Sequence, residues 1–254
     1  MKRVVVLIMA IFSICLTASG QSVATPAEGA ANGDVAQASN VPMSVPKTDW
    51  LAPFTKVVVD GPMIITFKKV LSAEELKVVY DTKGNLASRF RAVVDKNGVL
   101  NISERFDSKQ VAPMTEVTLY YKELDNIKIS HSTATFAEPV KATTLDVLVS
   151  GGAVVTLPID TLDAVVECTG SSRMVLSGRS RYFKIEVSTA KIDAFELETV
   201  SLNVNASHGA ELKAMVMERL EAVTSTSAKL FYKGKPQIVR NRNSLFGGDI
   251  VAID

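Results

Sequence analysis

A recurrence of about nineteen residues constrains this chain more than any other feature of it. Six positions where an apolar or small residue closes a strand-like run are Ile129, Val149, Cys168, Val187, Ala206 and Thr224, at spacings of 20, 19, 19, 19 and 18 residues. The residue after each carries a hydroxyl: Ser130, Ser150, Thr169, Ser188, Ser207 and Ser225. Two residues further on the side chain is always small, at Ser132, Gly152, Ser171, Ala190, Gly209 and Ser227. Two residues before the marker lie Ile127, Val147, Val166, Ile185, Val204 and Ala222.

One arrangement accounts for all four columns. If each unit is one coil of a β-solenoid, equivalent residues stack about 4.8 Å apart along the axis. Residues two apart on a strand point the same way, so the marker and the column before it face a shared core. The Ser/Thr column opens a corner, where a hydroxyl can bond the neighbouring backbone or the next hydroxyl in the stack. The small column lets the chain turn without a clash. The competing architecture is an antiparallel sandwich with evenly spaced strands. Hairpins would show Asn-Gly or Asp-Gly between units, and residues 125–230 contain neither.

Upstream, short β runs are more irregular. Phe54 to Asp60 alternates before an Asp60-Gly61-Pro62 turn, and Met63 to Lys69 follows. Leu76 to Tyr80, Phe90 to Asp95, Val99 to Glu104 and Glu116 to Tyr121 continue the series. Lys96-Asn97-Gly98 between two of these runs predicts a hairpin, and Asn85 to Arg89 a single helical turn.

The beginning of the chain reads differently. Lys2 and Arg3 precede an apolar run, Val4 to Leu16, and then Thr17, Ala18, Ser19 and Gly20. That order predicts a secretory signal peptide over 1–20, cleaved after Gly20 and too short to span a bilayer. Lipidation at Cys15 is disfavoured by Ile14, where processing wants a small residue. Residues 21–47, rich in Ala, Ser, Pro, Gly and Asn, read as a disordered spacer, leaving 48–254 as the folded domain. Loss of the leader removes two cations from 28 basic residues set against 27 acidic ones, and leaves Cys168 as the lone thiol. A near-neutral chain with no basic excess excludes a nucleic-acid binder, and one thiol excludes an internal disulfide.

These residues resemble the putative auto-transporter adhesin, head GIN domain family of bacterial envelope proteins, common in Bacteroidetes-type organisms. The resemblance covers residues 50 to 252. It rests on Phe54-x-x-Val57-x-Val59-x-Gly61, the strand Glu116 to Asn126 with its Leu124-x-x-Ile127 step, and corners such as Ser150-Gly151-Gly152, Thr169-Gly170-Ser171 and Ser207-His208-Gly209. A closing Tyr232-x-Gly234-x-Pro236 and the terminal Gly247-Gly248-Asp249-Ile250 complete it. It implies a single-stranded right-handed β-helix, displayed in the envelope, and supplies no catalytic residue. The corners Ser130-His131-Ser132, Ser188-Thr189-Ala190 and Ser225-Thr226-Ser227 depart from the family's Ser-Gly pattern.

Enzymes built on parallel β-helices draw carboxylates together from adjacent coils. Leu124-Asp125, Leu145-Asp146 and Leu162-Asp163 suggest such a stack. In the nineteen-residue register it dissolves: Asp146 falls with Asn126, Val165, Lys184, Asn203 and Glu221, and Asp163 with Thr144. His131 and His208 share a column four rungs apart, about 19 Å, too far for one ion. Cys168 belongs to the inward column, as a small buried hydrophobe rather than a nucleophile. No G-x-S-x-G elbow, P-loop or dinucleotide fingerprint is present. Lys233, Lys235, Arg240 and Arg242 near the end, against Glu196, Glu198, Glu211, Glu218 and Glu221, read first as a charged cap on the last coil and second as a binding patch. The expectation is therefore an exported, non-enzymatic solenoid without catalytic, metal or cofactor residues, meeting a protein or glycan at the cell surface or further copies of itself. The alternative is a carbohydrate-active β-helix enzyme with a carboxylate pair in the N-terminal half.

Overall fold

The nineteen-residue columns are physical stacks. A computed structural model describes residues 45–84, 89–105, 114–243 and 247–253; the expected leader, the spacer as far as 44 and the helical turn begun at Asn85 lie outside them. The described chain is built of strands: β1 (Lys47–Trp50), β2 (Lys56–Asp60), β3 (Met63–Lys69), β4 (Lys77–Asp81), β5 (Phe90–Val94), β6 (Val99–Glu104), β7 (Thr115–Tyr121), β8 (Asn126–Ser130), β9 (Thr133–Phe136), β10 (Val140–Ser150), β11 (Val154–Cys168), β12 (Arg173–Ser188), β13 (Lys191–Ser207), β14 (Glu211–Thr224), β15 (Ala228–Lys233), β16 (Ile238–Asn243) and β17 (Gly248–Ala252). Among the described residues no helix is long and apolar enough to cross a membrane.

From β8 onward the ladder is parallel. Ile129 lies beside Val149, Val149 beside Cys168, Cys168 beside Val187, Val187 beside Ala206, and Ala206 beside Thr224. This is a β-solenoid of about six coils, and the sandwich is excluded because it would reverse the sense of successive strands. A coil runs through a first stretch such as Asn126–Ser130, a tight corner, then a second stretch such as Thr133–Phe136. It bends back where two consecutive residues are exposed, as at Leu162-Asp163 and Arg181-Tyr182. The pleat otherwise alternates in and out, so every second residue enters the core.

Four corners are type I′ turns. Gly151-Gly152, Gly170-Ser171, His208-Gly209 and Thr226-Ser227 all have positive φ. The N–H of Ala153, Ser172, Ala210 and Ala228 donates back to the carbonyl of Ser150, Thr169, Ser207 and Ser225 at 3.1–3.3 Å. At His131 and Thr189 only one residue takes that conformation, and the corner is one residue shorter. The buried small column is therefore Ser132, Ala153, Ser172, Ala190, Ala210 and Ala228. The expected column mixed its Ser132 and Ala190 with exposed turn residues, because a one-residue insertion is invisible to a fixed spacing.

The first coils do not stack in chain order. On one side β6 pairs with β2, and β2 with β8; on the next, β7 pairs with β3, and β3 with β9, all in parallel. The coil β2–β3 is thus enclosed between β6–β7 and β8–β9. Antiparallel strands finish this end: β5 on β6 through the expected Asn97-Gly98 turn, and β4 on β7 with β1 beyond it. A 3₁₀ turn, Ala73–Glu75, capped reciprocally by Ser72 and Glu75, redirects the chain from β3 towards β4. Aromatic side chains fill the core here: Phe67 stacks on Phe136 with centroids 4.0 Å apart, and Tyr121 meets both edge-on. The core of the later coils is aliphatic for the most part, with Leu176, Leu197, Leu202 and Leu220 beside small residues such as Ala194 and Ala214.

Candidate functional site

Side chains that could do chemistry gather at the corner of the first coils. A surface cavity of about 640 Å³ is lined by Asp60, Gly61, Pro62, Glu104, Arg105 and His131. The register sets Asp60 beside Ser130, so the corner residue His131 reaches back one coil, its Nδ1 2.9 Å from Asp60 Oδ1. His131 has a φ of 58°, and its ring covers Gly151 so closely that a Cβ there would lie 2.6 Å from Nε2. Ser132 donates its hydroxyl to the Gly61 carbonyl at 2.6 Å and is committed to the corner.

Glu104 ends β6 on the inward side, following Leu100 and Ile102. Its Oε1 accepts a hydrogen bond from the Thr115 hydroxyl at 2.7 Å, and Oε2 is shielded with no partner among the described residues. Burial holds the carboxyl above the usual carboxylate range, against the opposing Thr115 hydrogen bond and the charge of Arg89. Gly61 is fixed by the same contact: its φ is +127°, and a Cβ would overlap the Glu104 carbonyl. The arrangement supplies an imidazole–carboxylate pair at the surface and a shielded acid beneath, the acid engaged by the Thr115 hydroxyl.

The remaining candidates fall where the register puts them. Asp146 lies between Asn126 and Val165, and Asp163 between Thr144 and Tyr182, so neither stacks on another carboxylate. His208 sits at a different corner from His131, its Nδ1 3.0 Å from Ser207 Oγ and 3.2 Å from Ser188 Oγ. Among the described residues no group of three His, Cys, Asp or Glu is placed to hold a metal ion. Cys168 is buried in the inward column, and burial pushes its thiol up to about 12.

Charges pair from coil to coil. Lys141, Asp160, Arg179 and Glu198 succeed one another in register, alternating in sign. Arg179 grips Asp160 with two nitrogens, at 2.7 and 3.0 Å, and holds its carboxyl below the usual range. Lys191 meets Glu211 at 3.2 Å and Lys213 meets Asp193 at 3.4 Å. Such exposed pairs add little stability, and at these positions they set opposite charges over one another, although Glu186 stacks on Glu167 and Lys191 on Arg173. The C-terminal basic cluster is partly absorbed in this way. Arg240 and Arg219 share Glu221, and the Lys233 ammonium stands 4.3 Å from the Phe195 ring centre.

A second hydroxyl column runs parallel to the first. Thr161, Ser180 and Thr199 are buried and in register before the outer bend. Thr161 donates to Ser180 at 3.0 Å, Ser180 to the Tyr182 carbonyl, and Thr199 to that of Met215. Their own nineteen-residue spacing was the available signal.

The solenoid recurs among solved structures. A putative adhesin from Bacteroides fragilis superposes with a TM-score of 0.74 at 15% identity, covering 84% of this chain and 98% of that one. A putative adhesin from Parabacteroides distasonis gives 0.66 at 18%, covering 82% and 96%. A structure described as a putative lipid binding protein from the same species gives 0.64 at 16%, with the same coverage. No curated protein matches the sequence. The profile of one family, described as the putative auto-transporter adhesin, head GIN domain, matches residues 53–236, from the Phe54 opening to the Gly234-x-Pro236 close. The chain belongs to that family.

Proposed function

We propose that the protein is an exported, non-enzymatic solenoid of the bacterial cell envelope that offers its outer faces for contact with a protein or glycan. Residues 1–20 direct export, 21–47 hold the domain clear of its attachment, and 48–254 form the contact surface. One observation carries this reading. Cys168 is buried and charges such as Asp160 and Arg179 pair from coil to coil, while the outward positions of successive coils stack in register along the solenoid. Membership of an adhesin family supports display at the surface, though a fold alone fixes no activity. Surface labelling of intact cells, with retention of the purified protein on envelope glycans and proteins, tests it. Accessible protein and saturable retention are expected; an exclusively cytosolic protein would overturn it. Self-association would use the outer edges of β16 and β17, which pair with no further strand among the described residues and whose Val239 and Val251 are exposed. Light scattering at rising concentration checks this, and a strict monomer contradicts it.

The enzymatic alternative has one observation in its favour: Asp60 and Glu104 line the same cavity in the N-terminal half. Against it, the free oxygen of Glu104 is sealed from solvent. Turnover of a polysaccharide that is lost in both Asp60→Asn and Glu104→Gln would establish the enzyme and displace the adhesin.

A further inference from the structure

We infer that the outer side of β1, β4, β7 and β3 is a binding strip for an acidic polysaccharide, an inference that rests on the adhesin-like reading and names its ligand class. The antiparallel extension of the sheet sets four side chains in one outward row: Trp50 beside Lys77, Lys77 beside Tyr120, Tyr120 beside Lys68. Three strand spacings make the row about 14 Å long. The Lys77 ammonium lies 5.2 Å from the Trp50 ring centre and 4.9 Å from that of Tyr120, so one cation is held between two aromatic planes. Trp50 is nevertheless 67% exposed. With Tyr120 in the same row, that ring offers an accessible aromatic face to a ligand.

The surrounding groups sharpen the chemistry. Among the described residues neither Lys77 nor Lys68 forms an ion pair. The nearby carboxylates are engaged: Asp81 and Glu116 by Lys83 at 3.2 and 2.9 Å, Glu138 by the backbone N–H of Lys69 at 3.1 Å, and Asp49 by the hydroxyl of Tyr80. The adjoining outward row is Thr48, Val79, Thr118 and Thr66, continued by Thr135 and Thr156. Aromatic rings, ammonium groups that pair with no carboxylate among the described residues, and a parallel file of hydroxyls suit a chain that presents C–H faces, carboxylates or sulfates, and hydroxyls together. A neutral glycan would leave the lysines unused. A nucleic acid would demand a longer run of cations than two.

Trp50 is the sole tryptophan of the chain, so its fluorescence reports on the strip directly. The full chain is titrated with polygalacturonate, chondroitin sulfate and dextran, with co-sedimentation as a second readout. An acidic polymer should shift or quench Trp50 emission saturably, less so in about 0.5 M salt, where screening shortens to a few ångströms, while dextran has no effect. Lys77→Met should weaken binding about tenfold, the loss of roughly 1.4 kcal/mol, and Lys68→Met severalfold, whereas Lys229→Met on a distant coil leaves it unchanged. Unaltered Trp50 emission with every acidic polymer, or Lys77→Met binding as tightly as the parent, overturns the strip. If the acidic polymers still co-sediment in that case, the adhesin reading stands and only its site is wrong. If nothing is retained, and envelope retention also fails, both fall.

Discussion

The stacking of coil on coil can be probed with two glycines that differ in one respect. Gly178 lies in register with Ile159 of the preceding coil and has a φ of +101°; a Cβ there would overlap the Ile159 carbonyl oxygen and stand 3.2 and 3.3 Å from the Ile159 carbon and nitrogen. Gly209 has a φ of +70° at a corner, with nothing within 4 Å of a Cβ. In Gly209→Ala the left-handed conformation costs about 1–2 kcal/mol, partly offset by about 0.4–1 kcal/mol from the stiffer unfolded chain. The net loss is about 1 kcal/mol or less. Gly178→Ala bears a similar conformational cost and must also force two backbones apart. Loss of the two flanking ladder hydrogen bonds, at about 1 kcal/mol each, brings the expected destabilisation to about 2–3 kcal/mol. Urea unfolding of both full-length variants, followed by far-ultraviolet circular dichroism, measures the difference. Equal losses within about 0.5 kcal/mol would mean that position 178 does not rest on position 159, and the stacking argument would be refuted.

Three further outcomes follow from individual residues. Replacing Thr226-Ser227, at φ of 50° and 61°, by Asn-Gly should stabilise the last type I′ corner by about 1–2 kcal/mol; a loss of stability would show that the corner is not strained there. Glu104 holds its proton more tightly folded than unfolded, so stability falls as pH rises from the unfolded pKa through the folded one. Glu104→Gln, which can still accept from Thr115, should raise the melting temperature at about pH 7 and bring no gain at about pH 3, and a gain independent of pH would contradict this. With Cys15 replaced by Ala, the Cys168 thiol should resist an aromatic disulfide reagent at about pH 8 until denaturant is added, and reaction at the rate of a free thiol would place it outside the core. Because its folded value is raised to about 12, Cys168 also costs the fold about 1.4 kcal/mol per pH unit as pH climbs above about 9.

The regular coils were legible because two periods coincide in them: alternation along the strand and recurrence at about nineteen residues. Ile129 through Thr224 therefore share one column in the sequence and in space, and Asn97-Gly98 closes the hairpin that this dipeptide predicts. The corners hid a single-residue insertion, which changes which small residue is buried without disturbing the hydroxyl before it. The order of the first coils was beyond local patterning, since β2 is enclosed by strands that come after it in the chain. Two further signals stand in the sequence: alternation along Val99–Glu104 points Glu104 inward behind Leu100 and Ile102, and Ser72-x-x-Glu75 has the spacing of a capping box. The Trp50–Lys77–Tyr120–Lys68 row was not readable, because strands 27 and 43 residues apart meet only after the sheet has assembled.

Distances between spin labels test the winding of the chain most directly. Lys128, Asn205 and Arg242 occupy one outward column, four and six rungs apart. With Cys15 replaced by Ala and buried Cys168 left in place, labels at 128 and 205 should lie about 19 Å apart, and those at 128 and 242 about 29 Å apart. A separation that failed to grow with the number of intervening coils would contradict the solenoid and every surface argued from it.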